Sequence, residues 1–168
     1  MGGRCSLWVP PPLGSVRPVL DSRLLLGHEA DRVRGALVGC EVRFVENSDY
    51  ATGQATSVGV GANAARDLAA DAAVFPPADM PFVSAESVDR LVRAYQSGVA
   101  SALTVSHDGQ RENPVLFDYQ CFEALTAVDG DTDSRSVLLE CDDAAPVAVT
   151  DPGVRVDIDT PADLAQHR

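Results

Sequence analysis

Asp71-Ala72-Ala73-Val74-Phe75-Pro76-Pro77-Ala78-Asp79-Met80-Pro81 is the stretch on which the fold turns. Ala72 to Phe75 are apolar without alternation, and two prolines close the run. A run that short, apolar to both sides, predicts a strand covered on both faces. Such strands belong to architectures in which helices cover both faces of a sheet. Asp79 follows the strand, so its carboxylate is expected at the carboxyl edge, where open α/β sheets bind ligands. A hard carboxylate there can hold Mg²⁺ and bridge it to phosphate oxygens. Capping the turn before Pro81 is the plainer alternative for the same residue.

The flanking sequence alternates strand-like and helix-like pieces. Upstream, Arg23 to Leu26 and Val42 to Val45 read as strands, His28 to Leu37 and Gln54 to Leu68 as helices, and Asn47 to Gly53 as a turn-rich loop. Downstream, Ser84 is a suitable N-cap for a helix carrying Val88, Leu91, Val92 and Tyr95. Ala102 to Val105, Pro114 to Phe117, Val147 to Val149 and Val154 to Val156 read as strands; Tyr119 to Leu125 and Ser134 to Leu139 read as short helices. A last helix opens at Thr160-Pro161-Ala162-Asp163, with Thr160 as cap, Pro161 in the first turn and Asp163 bonding back. The pattern predicts a three-layer α/β domain over residues 23–168, Rossmann-like, with a mostly parallel sheet.

Residues 1–22 break the rhythm. Pro10-Pro11-Pro12, Gly14 and Pro18 exclude a helix and disfavour a central strand, so this segment is expected to be irregular or disordered. It lacks the long apolar region of a secretory signal, and no stretch of the chain is apolar for long enough to span a bilayer. A cytoplasmic protein is expected.

All 13 basic residues are Arg, against 18 Asp and 7 Glu, for a net charge of −12. An acidic surface without Lys resembles proteins of salt-loving microbes, in which high salt screens self-repulsion; an acidic bias in a GC-rich genome gives the same composition. The balance excludes nucleic acid as the main partner, because phosphate backbones need basic patches. A nucleotide remains compatible, since a metal ion offsets its charge locally. Cys5, Cys40, Cys121 and Cys141 form no closely spaced pair. Reduced, mostly buried thiols are expected rather than a zinc site.

Two further elements carry candidate chemistry. In Asp157-Ile158-Asp159-Thr160, Asp157 and Asp159 would point to one side of a strand and could complete a metal site with Asp79. Asp159 can equally belong to the capping region of the last helix. In the stretch Asn47 to Val58, Gly53 and small hydroxylated residues at a helix start can present N–H and O–H groups to a base or phosphate. An ordinary capped loop explains the same residues.

Taken together, Asn47…Tyr50…Gly53…Ser57, Asp71 to Phe75 with Asp79-Met80-Pro81, Asn113-Pro114-Val115-Leu116-Phe117, Gly130-Asp131…Arg135 and Asp157 to Leu164 resemble the MobA-like nucleotidyltransferases. Among these the order and spacing look most like the molybdenum-cofactor cytidylyltransferases, from Leu24 to Leu164. Five motifs in register are more specific than any one of them. The resemblance implies a nucleotidyltransferase fold and transfer of a nucleotide from CTP or GTP to molybdopterin or a similar phosphorylated acceptor. It implies Asp79 and Asp157 as catalytic Mg²⁺ ligands, with Asp159 beside them. It implies Asn47, Gly53 and Ser57 along the nucleotide, and Asn113, Pro114, Asp131 and Arg135 on the acceptor side.

The chain also departs from that family. Its members open with a strand running into a Leu-Ala-Ala-Gly-x-x-x-Arg-Met-Gly…Lys loop that holds the triphosphate, and nothing here matches it. Glu112 stands where the family has Gly, and Thr132-Asp133-Ser134 replace a Gly-Ala stretch. A sheet without its first strand and helix is expected, its exposed edge open to self-association. Two readings follow: an active nucleotidyltransferase, or a non-catalytic relative that binds a nucleotide or pterin.

Overall fold

In the computed structural model, which describes residues 6–9, 21–40, 42–127, 138 and 143–167, the run Ala72–Phe75 is a strand with all four residues buried. Its side chains alternate between two cores. Ala73 and Phe75 face one cluster with Val58, Ala62, Ala65, Phe117 and Leu125. Ala72 and Val74 face the other, with Leu91, Val92, Leu103, Leu116 and Val154. A strand dry on both sides sits in the middle of three layers, as its unbroken apolar composition requires.

The seven described strands are β1 (Ser6–Val9), β2 (Asp21–Leu26), β3 (Arg43–Glu46), β4 (Ala72–Phe75), β5 (Ala102–His107), β6 (Gln110–Asp118) and β7 (Ala144–Ala148). They form one sheet in the order β3-β2-β1-β4-β6-β5-β7. Two neighbouring pairs are parallel, β2 with β3 and β5 with β7. β1 runs against β2 and β4, and β6 runs against β4 and β5. Five strands therefore share one direction, and only β1 and β6 oppose it.

The helices whose bounds lie within the described residues are α1 (Ala30–Ala36), α2 (Gln54–Asp67), α3 (Ala85–Gln96), α4 (Phe122–Thr126) and α5 (Pro161–Gln166). α2 and α4 cover the first core; α3 covers the second. The small residues of α2 let it approach closely: a Cβ on Gly61 would come within 2.9 Å of the Phe75 ring. Phe75 and Phe117 meet edge to face at 5.9 Å, and each such buried ring contributes roughly 1.5–3 kcal/mol. Ser84 caps α3 by accepting the Ser87 N–H at 3.3 Å. Thr160 and Asp163 form the expected reciprocal capping box of α5.

Several expectations need correction. Residues 1–22 are not wholly irregular: Ser6–Val9 form β1, and β2 already begins at Asp21. The prolines that disfavour a strand start at Pro10, just after the paired residues. The neighbouring strand expected to be left as an unpaired edge is thus paired: β1 lies between β2 and β4 and runs against both. Val154 to Val156 do not form a strand; Pro152–Arg155 make a 3-10 turn, because Asp151 accepts the Gly153 N–H and Pro152 fixes φ. β5 and β6 form a hairpin whose two-residue turn, Asp108-Gly109, has positive φ at both positions, the geometry Asp-Gly favours. Cys40 is exposed rather than buried, and Cys121 is half-buried. Cys5 and Cys141 lie outside the described residues, as does the predicted helix Ser134 to Leu139 apart from Leu138, a buried helical residue.

Candidate active site

Strand direction gathers the candidate residues. β2, β3 and β4 end at one edge, which delivers Gly27, Asn47 and Asp79 there in turn. β6 begins at this same edge, since Val115 stands opposite Phe75, so Asn113 and Pro114 join them. Asp79 is half-buried in the turn after β4. Its carbonyl oxygen accepts the Ile158 N–H at 2.7 Å, which fixes Asp157 and Asp159 on either side of that bond. Both flanking aspartates are exposed. They are not on a strand, contrary to expectation, because residues 156–159 leave the sheet after the 3-10 turn.

Electrostatics mark the same place. Burial pushes the Asp79 carboxyl above the usual carboxylate range; a hydrogen bond from its own backbone opposes this, and the charges of Asp157 and Asp159 add to the rise. Among the described residues, no group of three or more His, Cys, Asp or Glu side chains stands ready to hold a metal ion. A preformed three-carboxylate cage of Asp79, Asp157 and Asp159 is therefore not what the edge offers. It offers one half-buried carboxylate with two exposed ones beside it.

The segment after residue 150, whose role the motifs did not reveal, is anchored by Asp151. Its carboxylate accepts the Ser84 N–H at 2.8 Å, the Ser87 hydroxyl at 2.8 Å and the Gly153 N–H at 2.9 Å. Burial raises the Asp151 carboxyl, but these bonds outweigh it and hold the group below its ordinary range. Gly153 then passes so close to Phe82 that a Cβ would lie 2.0 Å from the Phe82 carbonyl oxygen. The Asp151-Pro152-Gly153 turn signature was the available signal for the local bond to Gly153, though not for the long-range bonds to Ser84 and Ser87.

The loop candidates divide. Asn47 is 3% exposed. Its amide nitrogen donates to Thr56 Oγ1 at 2.9 Å and Ser57 Oγ at 3.0 Å, and its Oδ1 accepts the Asp49 N–H at 3.0 Å. That side chain fastens the loop to α2, and Ser57 is part of the fastening. Gly53, at φ 139°, is the N-cap of α2 and brings no side chain to cap that helix start. His28 is exposed, its ring 5.9 Å from that of Tyr50. Asn113 and Pro114 are joined by a cis peptide bond where the β5–β6 register shifts, and Asn113 Oδ1 is buried with no hydrogen-bond partner among the described residues. Asp131 and Arg135 lie outside the described residues.

The model of the MobA-like NTP transferase domain matches residues 12–145. The chain belongs to that family. Among solved structures, Rv0371c of Mycobacterium tuberculosis in complex with manganese is 21% identical, with a TM-score of 0.70 over 86% of this chain and 74% of that one. The molybdopterin-guanine dinucleotide biosynthesis protein A of Archaeoglobus fulgidus is 17% identical, with a TM-score of 0.59 over 84% and 75%. The bifunctional IspDF of Campylobacter jejuni is 16% identical, with a TM-score of 0.59 over 84% and 41%. At these identities the likeness shows the nucleotidyltransferase fold. No curated protein matches the chain. No helix among the described residues is long and apolar enough to cross a membrane.

Proposed function

We propose that this MobA-like chain transfers a nucleotide from CTP or GTP to the phosphate of a molybdopterin-type acceptor in the cytoplasm. The observation that carries the reading is the convergence of Asp79, Asp157 and Asp159 at the edge that also bears the start of α2 and the Asn113–Pro114 bulge. An acceptor phosphate oxygen attacks the α-phosphorus; the new P–O bond forms as the α–β bridging bond breaks, and the electron pair leaves on pyrophosphate. Positioning and neutralisation of charge do most of the work in such a transfer.

Asp79 and Asp157, with Asp159 beside them, would hold Mg²⁺. Mg²⁺ is ordinarily bound by one or two carboxylates, with substrate phosphates and water completing its shell. A sparse carboxylate edge fits that habit better than a closed cage would. Crowding of negative charge around Asp79 favours a cation there, and the manganese of the Mycobacterium tuberculosis neighbour supports a divalent one. When bound, the ion supplies charge neutralisation at the phosphates. Gly53 and the first turn of α2, 14 residues long, would offer N–H groups to the nucleotide, with Asn47 and Ser57 holding that turn in place. Asn113 Oδ1 would accept a donor from the acceptor, and Asp131 and Arg135 would flank it. Nucleic acid and membrane are not partners in this reading; a second copy could pair along the outer strands β3 or β7.

One observation favours the second reading, a non-catalytic nucleotide- or pterin-binding relative. β1 runs against β2 and β4, so its carboxyl end at Val9, opposite Asp21, lies at the far edge from Asp79. A family-type phosphate loop follows the carboxyl end of the first strand. Pyrophosphate release from CTP and from GTP, with molybdopterin and Mg²⁺ at molar KCl, separates the two. Acceptor-dependent release supports the enzyme; nucleotide binding without release supports the relative.

A further inference from the structure

We propose that Arg155 is the side chain that receives a substrate phosphate at the Asp79–Asp157 edge, and that Glu112 competes with that phosphate for it. The inference deepens the nucleotidyltransferase reading and rests on it. The chain has no Lys, so any fixed positive charge at the site must come from Arg or His. Several arginines are committed elsewhere: Arg23 and Arg43 share Asp21 at the amino end of β2, and Arg90 and Arg93 pair along α3.

Arg155 is placed differently. It ends the 3-10 turn Pro152–Arg155, whose Val154 is buried against the sheet. It lies two residues before Asp157 and three before Ile158, the residue bonded to Asp79; three extended residues span only about 10 Å. Its Nε lies 3.9 Å from Glu112 Oε1, with the Arg side chain 48% exposed and the Glu side chain 19% exposed. At that separation the pair is a charge contact and not a hydrogen bond. The guanidinium therefore keeps the planar donor fork that suits phosphate oxygens. Glu112 stands beside Asn113, at the position where the family has Gly, so this chain carries its own anion next to the acceptor side.

A merely structural pair would fasten the turn to β6, and losing either partner would then act in the same direction. Competition predicts opposite directions. Isothermal titration calorimetry with inorganic pyrophosphate, phenyl phosphate, CTP and GTP in Mg²⁺, on wild type, Arg155→Gln, Arg155→Lys and Glu112→Gln, decides between them. Arg155→Gln should weaken binding of at least one phosphate probe roughly tenfold or more, the range of a lost charge-assisted hydrogen bond. Arg155→Lys should be intermediate, and Glu112→Gln should tighten the same probe several-fold. Response to pyrophosphate assigns Arg155 to the triphosphate; response to phenyl phosphate assigns it to the acceptor's monoester. Unchanged binding in Arg155→Gln, a shift in the same direction for both single variants, or no binding of either inorganic or phenyl probe by wild type would overturn the inference. Arg155-dependent pyrophosphate binding without CTP or GTP binding would keep it and sink the nucleotidyltransferase reading instead.

Discussion

The amide of Ile158 donates a 2.7 Å hydrogen bond to the carbonyl oxygen of Asp79, tying two segments almost eighty residues apart in sequence at one edge of the sheet. Asp79 owes its place to the end of β4, and Asp157 and Asp159 owe theirs to that bond and to the turn that precedes it.

Gly153 controls that turn. A Cβ there would sit 2.0 Å from the Phe82 carbonyl oxygen, a backbone atom that cannot swing aside. Gly153→Ala should destabilise the fold by about 1–3 kcal/mol, read by chemical denaturation. It should also weaken metal-dependent nucleotide binding, because the shift propagates to Asp157. A variant as stable as wild type would show that Phe82 and Gly153 do not touch in solution.

Asp151 predicts a pH dependence. Its folded pKa lies below the unfolded value because three donors outweigh the burial cost. Its stabilisation is therefore fully present above the unfolded value of about 4 and is lost as pH falls through the folded value. Asp151→Ala should cost roughly 2–3 kcal/mol near neutral pH, since the Ser84 and Gly153 amides lose their acceptor. Melting curves between pH 3 and pH 7 should show the gap between wild type and variant closing on the acid side. A gap that does not change with pH would contradict the assignment.

Asn47 is expected to matter for stability before it matters for ligand. Its side chain already bonds Thr56, Ser57 and the Asp49 amide. Asn47→Ala should lower unfolding free energy by about 1–3 kcal/mol. If urea denaturation shows no loss while nucleotide affinity collapses, Asn47 is a ligand contact and not a loop fastener.

What the sequence disclosed follows the range of the forces involved. Ala72–Phe75 and the Thr160–Asp163 capping box were legible because composition and bonds three residues apart decide them. Asp79 was placed at the carboxyl edge by the strand before it, whereas Asp157 and Asp159 were offered as its partners by an alternation that needs a strand, and residues 156–159 form none. The bond from Ser84 to Asp151 spans 67 residues, and no local pattern encodes it. Nor does any property of Ser6–Val9 alone reveal that β1 enters the sheet reversed; its neighbours β2 and β4 set that direction. The Asp108-Gly109 hairpin was available from its turn residues, yet the strands on either side read as separate units.

The most direct measurement is thermal unfolding of wild type and Asp79→Asn with and without Mg²⁺ plus CTP or GTP. Without metal, the variant should melt slightly higher, because the fold holds an ionised Asp79 at a disadvantage among burial, Asp157 and Asp159. With metal and nucleotide at about 100 times Kd, wild type should gain roughly 2.7 kcal/mol, several degrees in Tm. The variant should gain far less and lose its dependence on Mg²⁺. Equal, Mg²⁺-dependent stabilisation of both proteins would contradict the account and leave Asp79 a turn residue.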